Sequence, residues 1–180
     1  MPATWTLPEY LERKAALVEA YRAQLRAPGA APTPLRATAV VAAGSGVRPI
    51  RVREHLVTTD SGAALGGYGL GPSAPELLLG ALASCLAHSA LVIAADRGVA
   101  FDQLEVEVTG QLDYRGTLAV AADAPVPPTG IAYTLRFAGA VADEEAAAIQ
   151  TELERLCPVL LALTRPTSVA GAIKRLQPAP

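Results

Sequence analysis

Cysteine occurs only twice in the 180 residues. Cys85 lies in "PELLLGALASCLAHSALVIAADRG" and Cys157 in "ELERLCPVLLAL", both among Leu, Ala and Val. Two chemistries fit such placement. Free cysteine is among the most buried residue types, so both could be inert core hydrophobes. Alternatively, the fold joins them as one redox pair inside an apolar pocket. Cys157 precedes Pro158, and proline is favoured at the first position of a helix. That puts Cys157 at a helix cap, where the macrodipole lowers a thiol pKa. Filling the corner between two helices is the other reading of Cys157. Cys85 is expected mid-helix, with Ala81, His88 and Ser89 one turn away on either side. Apolar burial raises a thiol pKa, so a nucleophilic Cys85 needs a cation or a donor from elsewhere. His88 is one candidate, although a lone helical histidine is more often simply a satisfied residue. Arg48, Arg51 and Arg53, on the strand before a Gly-rich loop, are better ones, although each alone reads as a solvated strand residue. Ser73-Ala74-Pro75-Glu76 has the S-x-x-E pattern of a capping box, which gives Glu76 a structural role of its own.

These residues need elements to position them. Pro8 to Arg26 reads as an amphipathic helix, with Leu11, Ala15, Leu17, Val18, Tyr21 and Leu25 as its apolar stripe. "APGAAPTP" breaks it and reads as a linker. The chain is therefore divided into a helical appendage and linker at 1–34 and a main domain at 35–180. Arg36–Ala43 is expected as a strand, "GSG" as a turn, and Val47–Thr58 as the hairpin partner. On that partner Ile50, Val52 and Leu56 would share one face and Arg51, Arg53 and His55 the other. "DSGAALGGYGLGPSAP" reads as a flexible loop leading into the long helix of Cys85. "FDQLEVEVTGQLDY" alternates, with Leu104, Val106 and Val108 inward. "IAYTLRF" does the same with Ile131, Tyr133, Leu135 and Phe137. "ADAPVPPTG" between them is turn material. Asp143–Leu156 is a helix with an acidic first turn, and Cys157-Pro158 interrupts it before a short helix to Leu163. "TSVAGAIKRL" reads as a closing strand. Strand runs separated by buried helices predict an α+β fold with an antiparallel sheet that has one dry side.

Composition narrows the function classes. Lys and Arg total 15 against 17 Asp and Glu, without a basic cluster, which argues against nucleic acid as a partner. The first twenty residues carry charges throughout and lack the layout of a secretory signal. The expectation is a cytoplasmic protein, where paired cysteines are usually catalytic or redox-sensing. Leu77–Ala95 is long enough to suggest a membrane span. Its Ala-rich composition, with Gly80, Ser84, His88 and Ser89 inside it, favours a core helix instead. His55 and His88 are the only histidines and the cysteines lack C-x-x-C spacing, so no metal site is expected.

Taken together, "GGYGLGPSAPELLLGALASCLAHSALVIAADRGV", "FDQLEVEVTGQLDYRG" and "LERLCPVLLAL" resemble the OsmC/Ohr family of osmotically induced and organic-hydroperoxide-resistance proteins, over about Leu35 to Leu176. The run around Glu76 is similar to that of a less characterised branch with P-x-E-L-L-L. The resemblance implies a curved antiparallel sheet on long central helices in an intertwined homodimer, with active sites at the dimer interface. It implies a peroxidatic role for Cys85 and a resolving role for Cys157. It also implies an arginine that holds the thiolate, nearest in position to Arg48 with Arg53 as substitute, and a carboxylate that orients it, Glu76. In the characterised peroxidases that Glu stands one place further from the Cys than Glu76 does, and no clear Gly-Arg turn marks the arginine here. The implied activity is thiol-dependent reduction of organic hydroperoxides, with hydrogen peroxide a possible substrate. It needs an external dithiol and no metal, haem or flavin. A non-catalytic apolar-ligand-binding protein or a redox-sensing stress protein on the same fold is the alternative.

Overall fold

Two helices are opened by the same device. Thr6 and Ser73 each accept a hydrogen bond from the backbone three residues on, while Glu9 and Glu76 reach back to the cap residue. In the computed structural model, which describes residues 5–42 and 44–175, these capping boxes start α1 (Leu7–Arg26) and α2 (Ala74–Arg97). Gly98, left-handed at φ 66°, ends α2.

Between them lie β1 (Thr38–Ala39), β2 (Arg48–Val52) and β3 (His55–Thr59), an antiparallel sheet in that order. The expected strand Arg36–Ala43 shrinks to two residues. Its ladder persists only as Val40 N–H to the Pro49 carbonyl at 3.3 Å and Ala42 N–H to the Val47 carbonyl at 2.9 Å. Ala43 lies outside the described residues. The expected single strand Val47–Thr58 is instead a hairpin, because Arg53 takes a positive φ of 52° and turns the chain. Folding back changes the faces. Arg51 pairs with Leu56 and Val52 with His55, so each apolar residue shares a face with a polar one.

After α2 come β4 (Gln103–Gln111), a short α3 (Tyr114–Thr117), β5 (Thr129–Ala138), α4 (Asp143–Leu156) and α5 (Pro158–Thr164). β4 and β5 pair antiparallel as a second sheet, with Leu104 opposite Phe137 and Val106 opposite Leu135. β4 lies against α2, and the inward side chains of both strands pack against the core, as the alternation predicts. Ile131, expected inward, sits exposed near the end of the ladder. The core gathers Leu82, Leu86, Ala90 and Ile93 of α2 with Phe101, Ile149, Leu153 and Cys157. α1 docks on α2 and adds Leu11 to that core. By length and composition alone α2 could cross a membrane; here it is the central core helix.

Two parts of the chain lack cover. The main contacts of β1–β3 are with one another rather than with the helices. Leu56 is 60% exposed there, and Val40, Val41 and Val57 are also exposed. The expected closing strand is not formed: residues 166–175 carry no strand, and Ile173 is 99% exposed. A strand needs an edge to pair with, and no edge of this protomer receives the segment. Leu176, the last residue of that expectation, lies outside the described residues.

Candidate active site

The corner after α4 sets one thiol. A residue before proline is pushed out of the helical region, and Cys157 accordingly sits at φ −75°, ψ 110° as both last cap of α4 and first cap of α5. Its N–H still bonds the Leu153 carbonyl at 2.9 Å, and its own carbonyl accepts from Leu161 N–H at 3.0 Å. Held from both sides, the side chain is 0% exposed. Pro158 has no N–H, so the first free donor of α5 is the N–H of Val159.

Cys85 comes to that corner from the middle of α2. It is half-buried and unbonded, as is the buried Cys157. The Val159 backbone N–H, the Cys157 side chain and the Ser89 hydroxyl all lie near enough to act on its thiol. Burial is the largest influence and pushes the Cys85 thiol pKa up. The Val159 N–H pulls it down, Cys157 pushes it up again, and Ser89 pulls it down. Two thiols from distant parts of the chain therefore lie near one another among core hydrophobics, with the Val159 N–H and the Ser89 hydroxyl close by. Such a site can stabilise an oxygen or a negative charge on Cys85 and hold Cys157 ready to replace it.

Tyr133 of β5 lies in the neighbourhood of Cys157. Its hydroxyl donates to Glu154 at 2.9 Å, and its pKa is raised by burial first, then by Glu154, with Cys157 a smaller contributor. Sequence reasoning assigned no role to Val159, Tyr133 or Glu154. The Val159 donor was legible from the Cys-Pro cap. The meeting of Tyr133 with Glu154 depends on how β5 lies against α4.

The charged candidates lie elsewhere. The Glu76 carboxylate accepts from the Ser73 N–H and hydroxyl, both at 2.7 Å, and these bonds lower its pKa. Nine residues along a helix at about 100° each leave it roughly half a turn from the Cys85 side. Arg48 bonds the Gly46 carbonyl and, at 3.3 Å, Ser61 Oγ, and its charge helps depress the Asp60 pKa. Arg53 is spent on the hairpin turn and Arg51 is exposed on β2. His88 faces α1, and its pKa is lowered by burial and then by Lys14. None of these charged side chains meets the Cys85 thiol within the protomer. Among the described residues no cluster of His, Cys, Asp and Glu could hold a metal.

The loop before α2 is folded rather than loose. Asp60, 0% exposed, accepts from the N–H groups of Ser61 at 2.7 Å, Tyr68 at 2.9 Å and Leu70 at 3.2 Å. A side chain at Gly67 would collide with the Ser61 backbone carbonyl, which explains glycine there.

Comparison with known proteins agrees with this architecture. The model of a family described as OsmC-like protein matches residues 67–170, more than half of the chain. An OsmC-like protein of Mycoplasma pneumoniae superposes with a TM-score of 0.64 at 17% identity, covering 74% of this chain and 89% of its own. An organic hydroperoxide resistance protein OsmC of Legionella pneumophila gives 0.54 at 16% identity, over 74% and 90%. No curated relative matches the chain.

Proposed function

The chain belongs to the OsmC-like family, and from that premise we propose that it reduces organic hydroperoxides through a cycle of Cys85 and Cys157. The observation that carries the reading is the meeting of the two free thiols beside the Val159 N–H and the Ser89 hydroxyl. Association of a structural neighbour with organic hydroperoxide resistance supports it.

In the first step the Cys85 thiolate attacks the terminal peroxide oxygen. The O–O bond breaks, an S–O bond forms, and the alkoxide takes a proton to leave as an alcohol. Cys85 is now a sulfenic acid. The Cys157 sulfur then displaces its hydroxyl, giving a Cys85–Cys157 disulfide and water. An external dithiol restores both thiols by exchange and leaves as a disulfide. Every electron for the peroxide comes from that dithiol, so no metal or organic cofactor enters. The core hydrophobics around the two thiols suit an alkyl peroxide, and hydrogen peroxide is the smaller alternative.

The first step needs a thiolate, while burial favours the thiol. The reading assigns the missing cation to Arg48, supplied across a homodimer interface by the uncovered sheet β1–β3. Glu76 is assigned to helix capping rather than to orienting that arginine. Residues 35–180 would form the family domain, with 1–34 added to it, in a cytoplasmic protein. Assay of the purified, reduced protein with cumene hydroperoxide and dithiothreitol tests the function. Catalytic peroxide loss that vanishes in Cys85→Ser supports it. Loss no faster than dithiothreitol alone contradicts it and favours a binding or sensing role.

A further inference from the structure

α1 lies outside the matched family region, and the thiol site gives it no work. Its buried face only partly matches the one that hydrophobic periodicity predicts. Leu11 and Val18 turn toward α2, while Leu17, Tyr21 and Leu25 of the same expected stripe stay exposed. Lys14 turns inward and is only 9% exposed. Lysine is almost never that buried unless paired. Among the described residues no carboxylate lies within ion-pair distance of Lys14. Its single polar contact is the Tyr10 hydroxyl at 3.3 Å, and its ammonium stands 5.5 Å from the centre of the Tyr10 ring.

The ammonium borders a cleft of about 410 Å³ between α1 and α2, walled by Tyr10, Leu17, Val18, Tyr21, Val92 and His88. Arg22 also reaches its rim, but its guanidinium is committed to Asp96, at 2.9 Å through Nη1. The cleft thus holds one lysine ammonium without a carboxylate partner, beside aliphatic and aromatic walls and an imidazole whose pKa is lowered by burial first and then by Lys14. A phosphate would call for several converging donors. One ammonium with a hydrocarbon wall suits a monoanion with an apolar tail. The volume falls within the range of small-ligand pockets.

We propose that the α1–α2 cleft is a binding site for an aliphatic monocarboxylate, with Lys14 holding the carboxylate and Leu17, Val18, Tyr21 and Val92 covering the chain. His88 and Val92 follow Cys85 by one and two helical turns on nearly one stripe of α2, so the site flanks the thiol site without sharing its residues. Its occupancy is independent of thiol chemistry.

Calorimetric titration of the reduced full-length protein with decanoate tests this, with decyltrimethylammonium as the chain-matched cation and Cys85→Ser as the thiol-free control. Saturable binding of decanoate, equal in wild type and Cys85→Ser, is expected, with the cation at least tenfold weaker. Lys14→Met, which keeps an apolar stem in the helix contact, should weaken decanoate at least tenfold. Lys14→Arg should stay within about threefold of wild type. Absence of saturable binding, equal binding of the cation, or unchanged affinity in Lys14→Met would each overturn the proposal. The ligand comparison needs no variant, so it decides even if a substitution unsettles α1.

Discussion

The Cys85 thiol is governed by opposing influences, and each makes a prediction. Burial holds its pKa above the ordinary thiol value, while Ser89 and the Val159 N–H pull it down. The thiolate fraction therefore falls if a donor is removed. In a Cys157→Ser background, alkylation of Cys85 followed against pH should shift to higher midpoint in Ser89→Ala, with several-fold slower modification at neutral pH. An unmoved midpoint would remove Ser89 from the site. The same curve tests the proposed arginine: Arg48→Ala should raise the midpoint in the assembled protein, because a thiolate loses its counter-charge. Glu76→Gln should leave the curve in place and lower the melting temperature, because its carboxylate serves the cap at Ser73. A shift with Glu76→Gln would instead restore Glu76 to the thiol chemistry.

At the scale of elements, caps and one buried carboxylate carry the local order. Ser73→Ala removes the N-cap acceptor of α2 and should cost about 1 kcal/mol by chemical denaturation. Asp60 holds the loop before α2 through three N–H groups, which with Arg48 keep its pKa below the ordinary carboxylate value of 3.8. A lowered pKa stabilises the fold above the unfolded value and loses that contribution as pH falls through the folded one. The loop should hold at neutral pH and loosen only below about pH 4. Asp60→Ala should abolish amide-exchange protection at Tyr68 and Leu70 at neutral pH; retained protection would show that the glycine turns suffice. The elements that were legible from sequence are those specified locally. The Ser73 box and Gly98 bound α2, Cys157-Pro158 divides α4 from α5, and strict alternation marks β4 and β5. The β2–β3 hairpin was hidden because Arg53-Glu54 carries no glycine or asparagine, the residues that normally announce a positive φ. Asp60 looked like one more polar loop residue, since its three donors become neighbours only after the loop folds. Lys14 was hidden in the same way, as a charge expected to face solvent.

At the scale of the molecule, one protomer is left with exposed apolar strands in β1–β3 and an exposed closing segment over residues 166–175. Contiguous exposed apolar surfaces of that kind mark an interaction site. The proposed homodimer would cover them and would bring the arginine to Cys85 from the second copy. Light scattering at micromolar concentration should give twice the 18.5 kDa chain mass, whereas a monomer would leave Arg48 without a route to the thiol. The family was readable before the structure, since P-E-L-L-L and C-P-V are contiguous motifs, whereas the residues alone left the two cysteines open between core packing and a redox pair. The distribution of charge around Cys85 was not readable, because it depends on packing between distant elements and on assembly. The central claim is that Cys85 and Cys157 form one redox pair, and intact-mass spectrometry tests it most directly. Reduced protein given one equivalent of cumene hydroperoxide should lose the mass of two hydrogens and both free thiols, recover both with dithiothreitol, and yield a single Cys85–Cys157 cross-linked peptide. Cys157→Ser should instead gain oxygen on Cys85 alone. If both thiols stay free and unmodified under excess peroxide, the two cysteines are core residues and the account is wrong.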